Sequence, residues 1–240
     1  MSSVLKKIGT DKTLSQTIVY ELQKGILKKE FQPGDKLPSE SELCDLFGVS
    51  RTALREALQV LSSKGLIRIK KGSGIYVNEY SVEDATRSLN FYLELNFDDE
   101  TALHYYHVRQ LIEPYNARLA AQNSTPELVK KLEENLHQYE RTTDTYDRGR
   151  IDGEFHFMIA EAGGNQIIPL IMHPVNQLMP RIKEKIDLKL NVESRVIKEH
   201  GEIVQCIGNG DEAGAEKAMA SHLERAEEDI EALAKMEIEF

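Results

Sequence analysis

Asp152 and His156 stand four residues apart in Asp152-Gly153-Glu154-Phe155-His156, a spacing that sets a carboxylate and an imidazole on one helical face. His200 and His222 lie in two later segments, each among apolar residues at helical spacing. Ile197, Ile203 and Val204 surround the first, and Met219 and Leu223 the second. One aspartate with three imidazoles is a ligand set suited to zinc, nickel or manganese. The same residues also suit a core in which histidines bond to nearby acids, and spacing alone does not separate the two readings. His104, His107, His137 and His173 fit no ligand pattern and receive no role.

A second constellation lies near the start of the chain. Arg51, Arg55 and Gln59 recur every four residues, so their ends project together, while Leu54, Leu58 and Leu61 form an apolar stripe on another face. Arg51 and Thr52 sit at the start of this segment, the end of a recognition helix that meets base edges and phosphates. An arginine can hold guanine O6 and N7 together, the commonest specific base contact. Farther on, Arg68, Lys70 and Lys71 flank Gly72-Ser73-Gly74, a basic hairpin tip suited to a neighbouring backbone or minor groove. The plain alternative is a small helical domain with a solvated basic face.

These residues need a scaffold, and the chain supplies one. Leu14 to Lys29 reads as a helix through Ile18, Leu22 and Ile26, broken by Pro33-Gly34. Ser39 with Glu42 makes a capping box for a short helix whose apolar side is Leu43, Leu46 and Phe47. That helix ends at Gly48, and Ser50 caps the next, from Arg51 to Ser63. Residues 66–77 then alternate as a two-stranded hairpin. Two helices joined by a tight glycine turn and followed by a hairpin make a winged helix-turn-helix. From Ser81 onward the pattern is helical, with segments near 83–95, 100–122, 126–145, 148–162, 166–189, 193–207 and 211–236. The expected fold is mainly α: a winged helix-turn-helix in residues 1–78, a linker in 79–84 and an all-helical bundle in 85–240.

At this point the motifs resemble a known family. Phe31-Gln32-Pro33-Gly34-Asp35-Lys36-Leu37-Pro38-Ser39-Glu40, followed by Val49-Ser50-Arg51-Thr52-Ala53-Leu54-Arg55-Glu56-Ala57-Leu58, is similar to the GntR family of bacterial transcription regulators. The resemblance implies that Arg51, Thr52 and Arg55 contact an operator, with Lys71 and Gly72 at the wing. Ser41 departs from the arginine that many relatives carry there, which touches operator affinity or sequence. Asp152-x-x-Phe155-His156, Ala162-Gly163-Gly164-Asn165, Glu199-His200-x-x-Ile203 and the stretch from Gly210-Asp211 to His222-Leu223 resemble the helical effector domain of the FadR subfamily. That likeness implies a divalent ion held by Asp152, His156, His200 and His222, zinc first, with nickel or manganese as alternatives. It also implies that Arg109 faces an effector pocket, where its planar fork suits a carboxylate. The alternative for Arg109 is a solvated side chain paired with Glu113.

Charge distribution agrees with a two-part chain. The whole carries a net charge of -10, yet residues 1–80 hold 13 Lys and Arg against 9 Asp and Glu, and residues 81–240 hold 17 against 31. The first part is thus suited to a polyanion and the second is not. No apolar run approaches a membrane span, Met1 to Lys12 reads as no secretion signal, and Cys44 and Cys206 read as lone reduced thiols of a cytoplasmic protein. The expected partners are a double-stranded DNA operator, a small organic acid and a second copy of the chain, with no membrane. The expected activity is repression relieved by the acid, a small carboxylate such as a sugar acid or hydroxy acid. Two rivals are a helical domain that only dimerises and a metal-dependent hydrolytic enzyme. Against the enzyme, no motif places a separate carboxylate as a base.

Overall fold

The computed structural model describes residues 13–79 and 81–238. The reading of Met1 to Lys12 falls outside these residues, as does Tyr80 within the expected linker. The chain divides between Ser81 and Val82 into two compact units.

The first unit contains α1 (Leu14–Leu27), α2 (Glu40–Phe47), α3 (Arg51–Ser63), β1 (Ile67–Lys70) and β2 (Gly74–Val77). Each helix start has a side-chain cap. Thr13 with Gln16 and Ser39 with Glu42 form capping boxes, and Ser50 accepts from the Ala53 amide. Gly48 ends α2 at φ 63°, a left-handed conformation that glycine adopts without penalty and that turns the chain directly into α3. β1 and β2 pair antiparallel with Ile67 opposite Val77 and Lys70 opposite Gly74. Leu54, Leu58 and Leu61 are buried against Ile18, Leu22, Leu43, Ile67 and Ile75, so the apolar stripe of α3 fixes which of its faces remains in solvent. Leu46, read as part of the apolar side of α2, is 72% exposed.

The described residues of the second unit form helices joined by short turns: α4 (Val82–Leu95), α5 (Asp99–Gln122), α6 (Pro126–Arg141), α7 (Thr145–Ala162), α8 (Ile167–Asn176), α9 (Met179–Lys189), α10 (Glu193–Gly208) and α11 (Glu212–Ile238). Three boundaries differ from the sequence reading. Helix α4 begins at Val82, inside the expected linker. The expected helix 126–145 stops at Arg141, because Asp144 caps a new helix by accepting from the Asp147 amide. The expected helix 166–189 is two helices, broken at Gln177-Leu178. Pro180 sits in the first turn of the second, where its missing N–H costs no intrahelical bond.

Tyr105, Tyr106, Leu132, Tyr139, Phe155, Met179, Ile203, Met219 and Leu223 pack into one core. Helices α7 and α9 approach closely because Gly149 leaves room: a Cβ there would lie 2.5 Å from the Pro180 Cα. Gly153, one residue after Asp152, sits similarly against the Asn176 carbonyl. These contacts hold the inward face of α7 in register with its neighbours.

Candidate metal centre and DNA-reading face

Helix α7 presents Asp152 and His156 inward, α10 presents His200, and α11 presents His222; all four are buried. One nitrogen from each histidine lies within 4.8 Å of the other two. Asp152 joins them through Oδ2, 3.7 Å from His156 Nε2, and Oδ1, 3.6 Å from His200 Nε2. The His200 ring is tilted against the other two, 83° from His156 with centroids at 5.4 Å and 66° from His222 at 4.8 Å, while His156 and His222 lie within 19° of parallel at 5.4 Å. Phe155 stacks flat on His200 at 4.0 Å and fixes that ring's plane.

Two glutamates back the histidines from outside. Glu199, on α10, accepts from His222 Nδ1 at 2.8 Å and from Arg225 at 2.7 Å. This leaves His222 Nε2 as its lone-pair nitrogen. Glu113, on α5, places Oε2 2.7 Å from His156 Nδ1, a close contact without the alignment of a regular hydrogen bond. Carboxylates behind metal-binding histidines set ring orientation and raise ligand basicity. Burial pushes the His200 imidazole well below its ordinary range, and the neighbouring histidines push it further; burial also lowers His222, although Glu199 opposes this. Both rings are therefore neutral near pH 7, the form that can donate a lone pair.

These residues fit a divalent ion. His200 on both nitrogens and His156 on Nε2 have no hydrogen-bond partner, although both side chains are essentially fully buried. An unpaired buried polar group costs about 1–3 kcal/mol, so such a cluster calls for a ligand to its lone pairs. Nitrogen donors with one carboxylate match zinc or a neighbouring transition ion.

Arg109 is buried, not solvated. Its Nε donates to Glu113 Oε1 at 2.6 Å and its Nη2 to Oε2 at 3.3 Å. Nη1 packs 4.0 Å from the Met179 sulfur, and the guanidinium lies over the rings of Tyr105 and Tyr106. Burial alone would raise the Glu113 carboxyl, but Arg109 and His156 hold it down to about 2. Glu113 thus joins Arg109 to the histidine cluster. The sequence pointed to it only as the residue four positions beyond Arg109, and its contact with His156 was not foreseen. Glu199 was visible as the neighbour of His200, but the structure turns it toward His222.

On the first unit, Arg51, Thr52, Arg55 and Gln59 are all exposed on α3. Arg55 Nε is paired with Glu40 at 2.9 Å, so α2 holds it across the helix-turn-helix. Lys71 and Gly72 are exposed in the turn between the strands, where Gly72 takes φ 77°. Lys70 lies over the Tyr76 ring at 5.4 Å. Ser41 is exposed on α2.

Residues 14–77 match the family model for bacterial regulatory proteins of the gntR family, and residues 104–225 match the FCD domain. The chain is 33% identical over 205 residues to the HTH-type transcriptional regulator LutR of Bacillus subtilis, covering 83% of this chain and 93% of the relative. It is 31% identical to the HTH-type transcriptional repressor NanR of Enterobacter sp., covering 88% and 83%. Its fold superposes on the solved structure of Streptococcus agalactiae GntR with a TM-score of 0.71 and 26% identity, covering 90% of this chain and 100% of that one. The chain belongs to the GntR family of DNA-binding transcription regulators, with a C-terminal FCD domain.

Proposed function

We propose that the chain is a metabolite-responsive repressor that binds a palindromic operator as a homodimer and leaves it when a small carboxylic acid binds beside a divalent metal ion. Asp152, His156, His200 and His222 would hold the ion, zinc first, with nickel or manganese as alternatives. When bound, the ion supplies a fixed positive pole for an oxygen of the acid. The observation that carries the reading is the buried meeting of one nitrogen from each of three histidines, with neither nitrogen of His200 making a hydrogen bond.

The protein's own residues supply the rest. Glu113 and Glu199 orient His156 and His222. Arg109 is committed to Glu113 along one edge, so its role toward the acid is a single Nη1 donor and a positive field rather than a two-toothed clasp. On the first unit, Arg51 and Thr52 would read base edges, Arg55 would do so on exchanging Glu40 for DNA, and Lys71 with Gly72 would meet the backbone at the wing. Leu111 and Tyr115 of α5, 81% and 54% exposed, supply large apolar side chains that a second copy could cover. Paired recognition helices about 34 Å apart match two half-sites one turn apart. Repression accords with the name of the NanR relative.

An acid can shift the dimer between two arrangements only by binding one of them better. The test is fluorescence anisotropy of the metal-loaded protein on DNA from upstream of its own gene, across salt and a panel of small carboxylic acids. Salt-sensitive binding abolished by one acid is expected. Binding no tighter than to random DNA would overturn the operator assignment. Near-zero metal in both wild type and His156→Ala would leave the helical unit as a dimerisation unit only.

A further inference from the structure

The wing carries a second face, apart from the tip at Lys71 and Gly72. Residues 34–37 run along the outer edge of β2: Gly34 donates its backbone N–H to Val77, Leu37 donates to Ile75, and Val77 donates back to Asp35. This sets Lys36 opposite Tyr76 on one side, while β1 sets Arg68 opposite Tyr76 on the other. Directly opposed residues share a face of the pleat, so Arg68, Tyr76 and Lys36 stand in one row. Lys70, opposite Gly74, belongs to the same face. Ile67, Ile75, Val77 and Leu37 alternate with these residues and are all buried, which sends the three cations outward.

Lys36, Arg68 and Lys70 are exposed, and Tyr76 between them is half-buried. Lys70 Nζ lies 5.4 Å from the centre of the Tyr76 ring and Lys36 Nζ 5.9 Å from it. Ser73 Oγ, 2.8 Å from the Tyr76 hydroxyl, ties the ring to the turn. Gly74 leaves the path of Lys36 open: a Cβ there would lie 2.6 Å from the Lys36 Cε. Elsewhere on this unit Lys24 meets Glu21 and Arg55 meets Glu40. Among the described residues the three wing cations have no such ion pair, and Lys36 acts on Glu42 only at longer range. Two ammoniums gathered on one ring repel each other, and an exposed cation–π contact is weak. An anion spread over several positions answers all three charges, and a nucleic-acid backbone is such an anion. The face is also continuous with the wing tip, since Lys70 directly precedes Lys71.

We propose that the outer face of the wing, with Lys36, Arg68 and Lys70 set around Tyr76, is a phosphate-binding surface that lies along the DNA backbone beside the contact of Lys71 and Gly72. This rests on the reading that the first unit binds an operator. It adds cations that the tip does not supply, one of which, Lys36, comes from outside the hairpin, and it makes Tyr76 the residue that positions two of them.

The experiment is fluorescence anisotropy of the full-length chain on DNA from upstream of its own gene and on a scrambled duplex, over a salt series. Lys36→Met and Lys70→Met keep the packed stem and remove only the charge. Each is expected to lower the salt slope by about 1 on both duplexes, and the double variant by about 2, with thermal unfolding unchanged. Lys28→Met, which removes an exposed charge at the end of α1, should leave the slope as it is. Tyr76→Leu should weaken both duplexes about two- to fivefold, the range of an exposed cation–π contact, and Tyr76→Phe should restore most of that loss. Wild-type slopes in Lys36→Met and Lys70→Met would overturn the surface and leave the face to an acidic protein. The same loss from Lys28→Met would also overturn it, by making the effect one of net charge. In both cases a wild-type preference for the upstream DNA keeps the operator reading. Lowered slopes without that preference would uphold the surface while the operator reading falls. If wild type binds neither duplex, both fall.

Discussion

Glu113 Oε2 lies 2.7 Å from His156 Nδ1, while the other oxygen of the same carboxylate accepts from Arg109 Nε at 2.6 Å. One side chain on α5 therefore orients a histidine on α7 and neutralises a buried guanidinium. Both functions need its negative charge, which a glutamine of the same shape lacks. Glu113→Gln is expected to weaken zinc binding about 10- to 100-fold, the usual cost of losing an outer carboxylate. It should also destabilise the chain by about 3–5 kcal/mol, because Arg109 keeps its charge without a partner. Chelator competition and urea unfolding measure the two effects separately. Zinc affinity equal to wild type would show that Glu113 serves Arg109 alone.

Metal removal gives a second expectation. If the ion binds only the folded chain, free zinc at a hundred times its Kd should add about 2.7 kcal/mol of stability. Thermal unfolding of the zinc-loaded protein, repeated after chelation and dialysis, should show a fall in Tm. His156→Ala should show little difference between the two conditions. The same shift in wild type and His156→Ala would place the metal elsewhere.

Much of this arrangement was legible in the sequence, and the failures have physical causes. Ser39, Ser50 and Gly48 act through bonds to residues three or four positions away, so the helix-turn-helix could be read locally. The proposed ligand positions on α7, α10 and α11 were matched by motif, whereas their distances depend on how three helices pack. Glu113 was missed as a neighbour of His156 for the same reason. It sits in an ordinary amphipathic pattern, and only tertiary packing brings it beside that ring. The break at Gln177-Leu178 was missed because apolar residues continue through it, although Pro180 was its signal.

The exposed face of α3 yields a prediction that separates sequence reading from charge. Arg51→Ala should cost about 1–3 kcal/mol on the operator and relax preference at one base position. Lys71→Ala should weaken binding to every sequence alike and reduce the salt slope by about 1. Glu40→Gln should change stability by at most about 1 kcal/mol, because its pair with Arg55 is half exposed. Anisotropy on matched and scrambled duplexes, over a salt series, reads the DNA effects. A loss for Arg51→Ala that is equal on both duplexes would assign that residue to phosphate rather than to a base.

His173 links the first and fifth helices of the second unit, since its Nδ1 lies 2.9 Å from Thr86 Oγ1 across α4 and α8. Burial pushes its imidazole below the ordinary histidine range, with Glu83 on α4 opposing. Arg150 and Glu154 of α7 line the same cleft and complete the charged groups around it. The folded chain therefore favours neutral His173, and the unfolded chain takes up the proton first. As pH falls through about 6.5, stability held by this contact should decline, and above that value it should be fully present. Buried His200 and His222 shift the same way, so the difference between wild type and His173→Gln isolates the contribution. Hydrogen exchange of α4 amides at pH 7.5 and pH 5.5 is the sensitive measurement. Acid should loosen α4 more in wild type than in His173→Gln, and identical acid responses in the two would remove His173 as the cause.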